Sequence, residues 1–298
     1  MKNSSDTLYR FLFEHAPVRG ELVHLDQSWK SVVARHEYPE RLRNMMGELT
    51  AAAVLLAATL KLKGALVLQI MGKGAIRLLV VECSGDMELR ATAKWSGDLS
   101  EGSFADLIGD GHFVITLDPR DGSPTYQGIV ELQGDSVAEI LQNYMSQSEQ
   151  LESRLWLAAD GENAAGMLLQ KLPENIRQNH YADVDDDAWE RAQTLADTLQ
   201  QAELLKLPAE EILRRLYHEE DIRLFEAQPV TFRCTCSRES VANMFKMLGR
   251  EEVESILAEQ GGMEVHCEFC NQRYVFDKVD AELIFVEAAV LSGSDLKH

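Results

Sequence analysis

The rhythm of apolar and polar positions changes along the chain, and those changes divide it. The opening stretches 8–13 and 18–23 mix apolar with charged residues, and Val18-Arg19-Gly20-Glu21-Leu22-Val23 shows some alternation. From 42 to 61 the pattern predicts a helix: Ala, Leu and Met dominate, proline is absent, and Gly64 offers a stop. Short apolar runs then predict strands over 66–71, 77–81, 88–93, 113–117 and 125–132, separated by turn residues such as Gly72-Lys73-Gly74 and Ser84-Gly85-Asp86. Ser136-x-x-Glu139 fits a capping box, and Val137, Ile140, Leu141, Tyr144 and Met145 follow at helical spacing. Stretches 154–159 and 167–172 return to extended character. Strands follow strands rather than alternating with helices, which favours an α+β fold with an antiparallel sheet.

Past residue 180 the pattern becomes helical and acidic. Between 183 and 226 stand 13 acidic and 5 basic residues, beginning with Asp183-Val184-Asp185-Asp186-Asp187. Trp189, Ala192, Leu195, Ala196 and Leu199 mark one helical face; beyond Pro208, Ile212, Leu213, Leu216 and Tyr217 mark another. Such short, charge-dense helices read as a solvated linker packed on a neighbour. Alternatively they form a marginally stable element that can detach, since like charges and short length weaken isolated helices.

The last stretch, 232–298, holds Arg233-Cys234-Thr235-Cys236, a candidate N-cap at Ser237, and a helical face of Val241, Met244, Phe245 and Leu248 stopped by Gly249. Val253, Ile256 and Leu257 give a further face, stopped at Gly261-Gly262. Extended residues 263–266 lead into Cys267-Glu268-Phe269-Cys270, and 274–276 lead out. The expected organisation is a core domain over 1–180, an acidic helical linker over 181–231 and a small domain over 232–298.

Composition narrows the function classes. A chain of 298 residues with 45% apolar and 26% charged residues can bury a real core, which excludes global disorder and low-complexity architectures. The net charge of −20 repels polyanions, so no nucleic-acid partner is expected. Residues 232–298 themselves carry 12 acidic against 7 basic side chains, which disfavours a DNA-reading zinc ribbon. The apolar run 49–60 is shorter than the roughly 20 residues a bilayer span needs, and no secretory signal opens the sequence. A cytoplasmic protein with no membrane partner is expected.

The cysteines carry the chemistry. Four of the five form C-x-C at 234 and 236 and C-x-x-C at 267 and 270. Two close pairs brought together by folding can supply the four soft ligands of a tetrahedral Zn²⁺ site. Cys234, Cys236, Cys267 and Cys270 are therefore the candidate ligands of one Zn²⁺. A purely structural site, four buried thiols and a thioredoxin-type dithiol are the competing readings; the last lacks the βαβ context it needs. His266 could be a ligand, but four thiolates complete the shell and a packing role is expected. Cys83 reads as a strand-end core thiol. A zinc–thiolate cluster can also sense oxidants, because disulfide formation removes the ligands and with them the metal's contribution to folding. No P-loop, G-x-S-x-G or H-E-x-x-H occurs, so neither a catalytic residue nor an enzymatic activity is expected.

These residues resemble the heat shock protein 33 family, the redox-regulated holdase chaperones also called 33 kDa chaperonins. The similar segments are Cys234-Thr235-Cys236-Ser237-Arg238-Glu239, Leu248-Gly249, Cys267-Glu268-Phe269-Cys270-Asn271, Val18-Arg19-Gly20, Thr59-Leu60-Lys61, Tyr126-Gln127-Gly128-Ile129-Val130, Gln147-Ser148-Glu149-Gln150 and Leu168-Leu169-Gln170-Lys171-Leu172-Pro173. One departure is visible: some relatives carry a further cysteine just after the C-x-C pair, and 237–242 has none.

The resemblance implies an inactive reduced, zinc-bound form. Oxidants would form the disulfides Cys267–Cys270 and Cys234–Cys236, release zinc and unfold the linker. The oxidised protein would be a homodimer that holds unfolded clients without ATP and later passes them to ATP-dependent foldases. Within that scheme the C-x-x-C turn should close first, since a C-x-C disulfide is more strained. Trp189, Leu195, Leu199, Ile212, Leu213 and Leu216 are the candidates for contacting clients or for covering the surface that does.

Overall fold

The computed structural model describes residues 6–60, 63–148, 150–173 and 187–285. The chain divides into two compact units, Met1–Arg233 and Cys234–His298.

The first unit opens with the hairpin β1 (Thr7–Phe13) and β2 (Val18–Leu25), followed by the short helix α1 (Gln27–Val33). Helix α2 (Glu40–Thr59) comes next. Pro39 stands before its first turn, where a missing N–H costs nothing. It starts two residues before the expected 42, and Leu60 is already extended (φ −89°, ψ 127°), so the helix ends earlier than expected. Lys61 lies outside the described residues. Strands β3 (Ala65–Gly72), β4 (Ile76–Ser84) and β5 (Glu88–Trp95) form a meander. After α3 (Phe104–Ile108), β6 (Gly111–Asp118) and β7 (Tyr126–Glu131) complete the set. Helix α4 (Val137–Gln147) then leads to β8 (Ser153–Ala159) and β9 (Ala164–Lys171). At its start Ser136 accepts from the Glu139 N–H at 3.2 Å. The other half of the expected capping box is displaced by one residue, because Glu139 Oε2 accepts from the N–H of Asp135 at 2.7 Å.

Two sheets result. One runs β9 between β2 and β8, with β1 beyond β2; the other runs β5-β4-β3-β6-β7. These pairings are all antiparallel. Helix α2 lies between them and is buried nearly all round, with Leu42, Met46, Leu49, Val54 and Leu55 fully covered. Gly47 makes this closeness possible. A Cβ there would stand 2.4 Å from the Ala159 Cβ and 3.0 Å from the Trp29 ring.

The sheet containing β9 is covered on its other face too. Helices α5 (Ala188–Ala196), α6 (Gln201–Lys206) and α7 (Ala209–Leu216) lie there. Their apolar residues join Phe11, Phe13, Val18, Leu22, Met167 and Leu169 in a second cluster. Burial on both faces explains why β9 is an unbroken buried run rather than an alternating one. Short strands β10 (Ile222–Leu224) and β11 (Gln228–Pro229) then add to β1, and β12 (Thr231–Phe232) pairs parallel with β5. Among the described residues no helix is long and apolar enough to cross a membrane.

One polar group in this core is anomalous. Glu21 on β2 is 3% exposed, and among the described residues nothing hydrogen-bonds its Oε2. Burial raises its carboxyl to about 7, against the pull of Arg19 and Arg10. Both arginines are engaged elsewhere: Arg10 donates to Gln228 Oε1 at 3.1 Å, and Arg19 Nε to Gln170 Oε1 at 2.9 Å. Burial also raises Glu48, on α2, to about 7.

The folded protein therefore keeps the Glu21 proton between about 4.5 and 7, where an unfolded chain has released it. The stability this confers is full below the lower value and is lost as pH rises to the upper one. Glu21→Gln, which mimics the neutral acid, is expected to stabilise the first unit at pH 8 by up to about 3 kcal/mol and by little at pH 4.5. Urea unfolding at both pH values checks this, and an equal effect at both would overturn it.

Candidate metal centre

The second unit is a small scaffold around four sulfurs. Helix α8 (Arg238–Leu248) begins at Ser237, whose Oγ accepts from the Ser240 N–H at 3.0 Å. This cap fixes the chain direction immediately after Cys236. Gly249, at φ 97°, turns the chain into α9 (Arg250–Gln260), a backbone state that a side chain would oppose. Hairpin β13 (Met263–His266) and β14 (Arg273–Phe276) follows, with Cys267 and Cys270 in its turn. Two backbone bonds hold that turn: Cys267 N–H to Gln272 O at 3.0 Å, and Asn271 N–H to Cys267 O at 2.8 Å. The core beneath is small, with Phe245, Val253, Leu257, Met263, Phe276, Ala281 and Ile284 buried.

Arg238 ties α8 to the hairpin. Its guanidinium lies 4.1 Å from the centre of the Phe276 ring, donates to Val275 O at 2.7 Å and pairs with Asp280 at 2.8 Å. Through this clamp and the hairpin, residues some thirty apart in sequence are brought to one point.

The Sγ atoms of Cys234, Cys236, Cys267 and Cys270 all lie within 4.8 Å of one another. Cys234 and Cys267 are 3.7 Å apart, and Cys236 and Cys270 are 3.3 Å apart. A tetrahedral zinc with Zn–S bonds of about 2.3 Å separates its sulfurs by about 3.8 Å. The donor set and its spacing therefore suit a single tetrahedral, thiophilic ion. Burial pushes the Cys234 and Cys270 thiols up. At Cys236 burial acts the same way but is outweighed by hydrogen bonds, foremost from the Tyr274 hydroxyl at 3.1 Å, and the thiol is held below its usual value.

His266 departs from expectation. It is exposed and does not pack; its ring bonds Glu264 Oε1 at 2.9 Å and Asn271 Oδ1 at 3.2 Å. It stands outside the sulfur cluster. Cys83 lies at the end of β4 as expected, fully buried, its thiol pushed up to about 12 by burial. Sequence reasoning did not single out Arg238 or Tyr274 for a role. Their effects depend on contacts to residues 37 to 42 positions away, which no local pattern records.

The six linker residues lie in the first unit. Ile212 is fully buried; Trp189, Leu213 and Leu216 are less than a tenth exposed; Leu195 and Leu199 are half-buried against the same cluster. Polar contacts rim this face: Trp156 Nε1 donates to Asp197 Oδ1 at 3.1 Å, and Arg154 Nε to Gln193 Oε1 at 2.9 Å. Of the acidic cluster 183–187, only Asp187 is among the described residues.

Comparison with known proteins agrees with this architecture. The Hsp33 protein family matches residues 6–277. A 33 kDa chaperonin of Methylobacillus flagellatus is 57% identical over 295 residues, covering 99% of both chains. One from Chromobacterium violaceum is 52% identical, again covering 99% of both. The crystal structure of the Thermotoga maritima 33 kDa chaperonin shares the fold, with a TM-score of 0.82 over 96% of this chain and 99% of that one, at 23% identity. The chain belongs to the Hsp33 family, whose members are redox-regulated, ATP-independent chaperones rather than enzymes.

Proposed function

We propose that the Cys₄ centre is the redox switch of a holdase, and that the helices of 187–217 are the element it controls. The convergence of four sulfurs within 4.8 Å of one another supports this most directly. Zn²⁺ bound there would keep the sulfurs as thiolates, the form that both ligates and reacts with oxidants. Cys267 with Cys270, and Cys234 with Cys236, are the pairs that close. Each closure consumes one hypochlorous acid: two thiolates become a disulfide, and chloride and hydroxide leave.

Among the described residues the second unit buries seven apolar side chains, a thin core. Metal binding contributes roughly 10–16 kcal/mol to the folding of small zinc peptides, more than such a core supplies. Losing the ligands therefore unfolds this unit. Its first residue, Cys234, directly follows Arg233, so the disorder enters the chain that carries α5, α6 and α7. Release of those helices uncovers Phe11, Phe13, Val18, Leu22, Met167 and Leu169, an apolar surface for unfolded clients and for a second copy in the oxidised homodimer. Transfer of clients to ATP-dependent foldases would follow reduction.

Two measurements test this. Reduced protein is expected to hold one zinc per chain by elemental analysis and to leave the aggregation of a thermally unfolding client unchanged, whereas hypochlorous acid releases the metal and produces suppression of light scattering. Equal suppression in both states would return the centre to a structural role. Ile212→Ala removes a fully buried contact of the docked helices and should weaken the first unit's fold by about 2–5 kcal/mol. It is expected to suppress aggregation without oxidant while still binding zinc. No gain in the reduced state would remove these helices from the switch.

A further inference from the structure

We infer that the Tyr274 hydroxyl guards Cys236 against oxidation and so slows closure of Cys234–Cys236 relative to Cys267–Cys270. This rests on the reading of the Cys₄ centre as a redox switch. Tyr274 stands on β14, opposite Val265, with its ring packed half-buried on the small core and its hydroxyl donating to Cys236 Sγ at 3.1 Å. Among the described residues this is the one side-chain hydroxyl that reaches any of the four sulfurs.

The contact makes the two pairs unequal. A phenol hydrogen bond draws charge from a thiolate, and a less basic sulfur is a weaker nucleophile. Oxidation by hypochlorous acid begins with a sulfur lone pair taking the chlorine while hydroxide leaves. The paired sulfur then displaces chloride to close the disulfide. At Cys236 the Tyr274 hydroxyl engages one of the sulfur's lone pairs.

The product adds a second effect of the same sign. A disulfide sulfur is neutral and a poor acceptor, so closing Cys234–Cys236 forfeits a charge-assisted bond. Closing Cys267–Cys270 forfeits none with Tyr274. Strain in a C-x-C disulfide already delays this pair, and the hydroxyl is a separate and removable contribution. Tyr274 is a positioning residue in this sense, acting through Cys236 rather than on the oxidant.

Tyr274→Phe keeps the ring and deletes only the hydroxyl. The full-length chain and this variant would each be zinc-loaded, confirmed at one metal per chain, and treated with less than one equivalent of hypochlorous acid. After rapid alkylation, mass spectrometry would follow each disulfide in time while a chromogenic chelator reads metal release. In the variant, Cys234–Cys236 is expected to form about tenfold faster relative to Cys267–Cys270, the size of one charge-assisted hydrogen bond, with the latter unchanged.

Equal acceleration of both pairs would show that the hydroxyl only supports the fold of the unit, and unchanged rates would show that it does nothing; either overturns the assignment and leaves the switch standing. Formation of neither disulfide in the unmodified chain would overturn the switch and this inference together.

Discussion

A sheet that is apolar on both faces needs two covers. The strands around β9 point Leu168 toward α2 and Met167 and Leu169 the opposite way, and neither set can be left in water cheaply. The first cover, α2, is held between two sheets and cannot leave without dismantling the unit. The second is a run of short helices, rimmed by exposed ion pairs such as Arg215 with Glu203 and Glu211. Such pairs contribute little to stability. The same sheet thus has one cover locked between two sheets and one made of short helices, and the proposed release concerns the second.

The second unit shows the complementary economy. Its apolar core is too small to be strongly cohesive alone, and its geometry is organised by Arg238 at one end and the β13–β14 turn at the other. Metal binding by the four sulfurs would make the unit's fold conditional on their chemistry. A larger core would have made it more stable and insensitive.

Legibility from sequence followed the range of the interactions. Helix α2 and strands β3 to β9 could be read because composition and turn residues mark them locally, as at Gly64 and Ser84-Gly85-Asp86, whereas β1 and β2 mix apolar with charged positions and showed only some alternation. The C-x-C and C-x-x-C pairs were legible because spacing alone aims thiols together. Helices α1 and α3, of seven and five residues, were too short for a period to show, and β10 to β12 are edge pairings of two or three residues. His266 was misjudged because its surroundings are set by Glu264 and Asn271, brought together only by the hairpin. Glu21 looked like one polar position in an alternating strand; burial of both sheet faces, a tertiary fact, makes it anomalous.

Cys83 gives the molecule a form of selectivity. Burial pushes its thiol up to about 12, so it stays protonated at neutral pH, and the side chain is fully enclosed. An oxidant that reaches the Cys₄ sulfurs finds the Cys83 thiol enclosed in the sheet beside α2, where it does not compete. Accessible thiol chemistry is thereby confined to the cysteines of the second unit, and the sheet that carries Cys83 stays outside it.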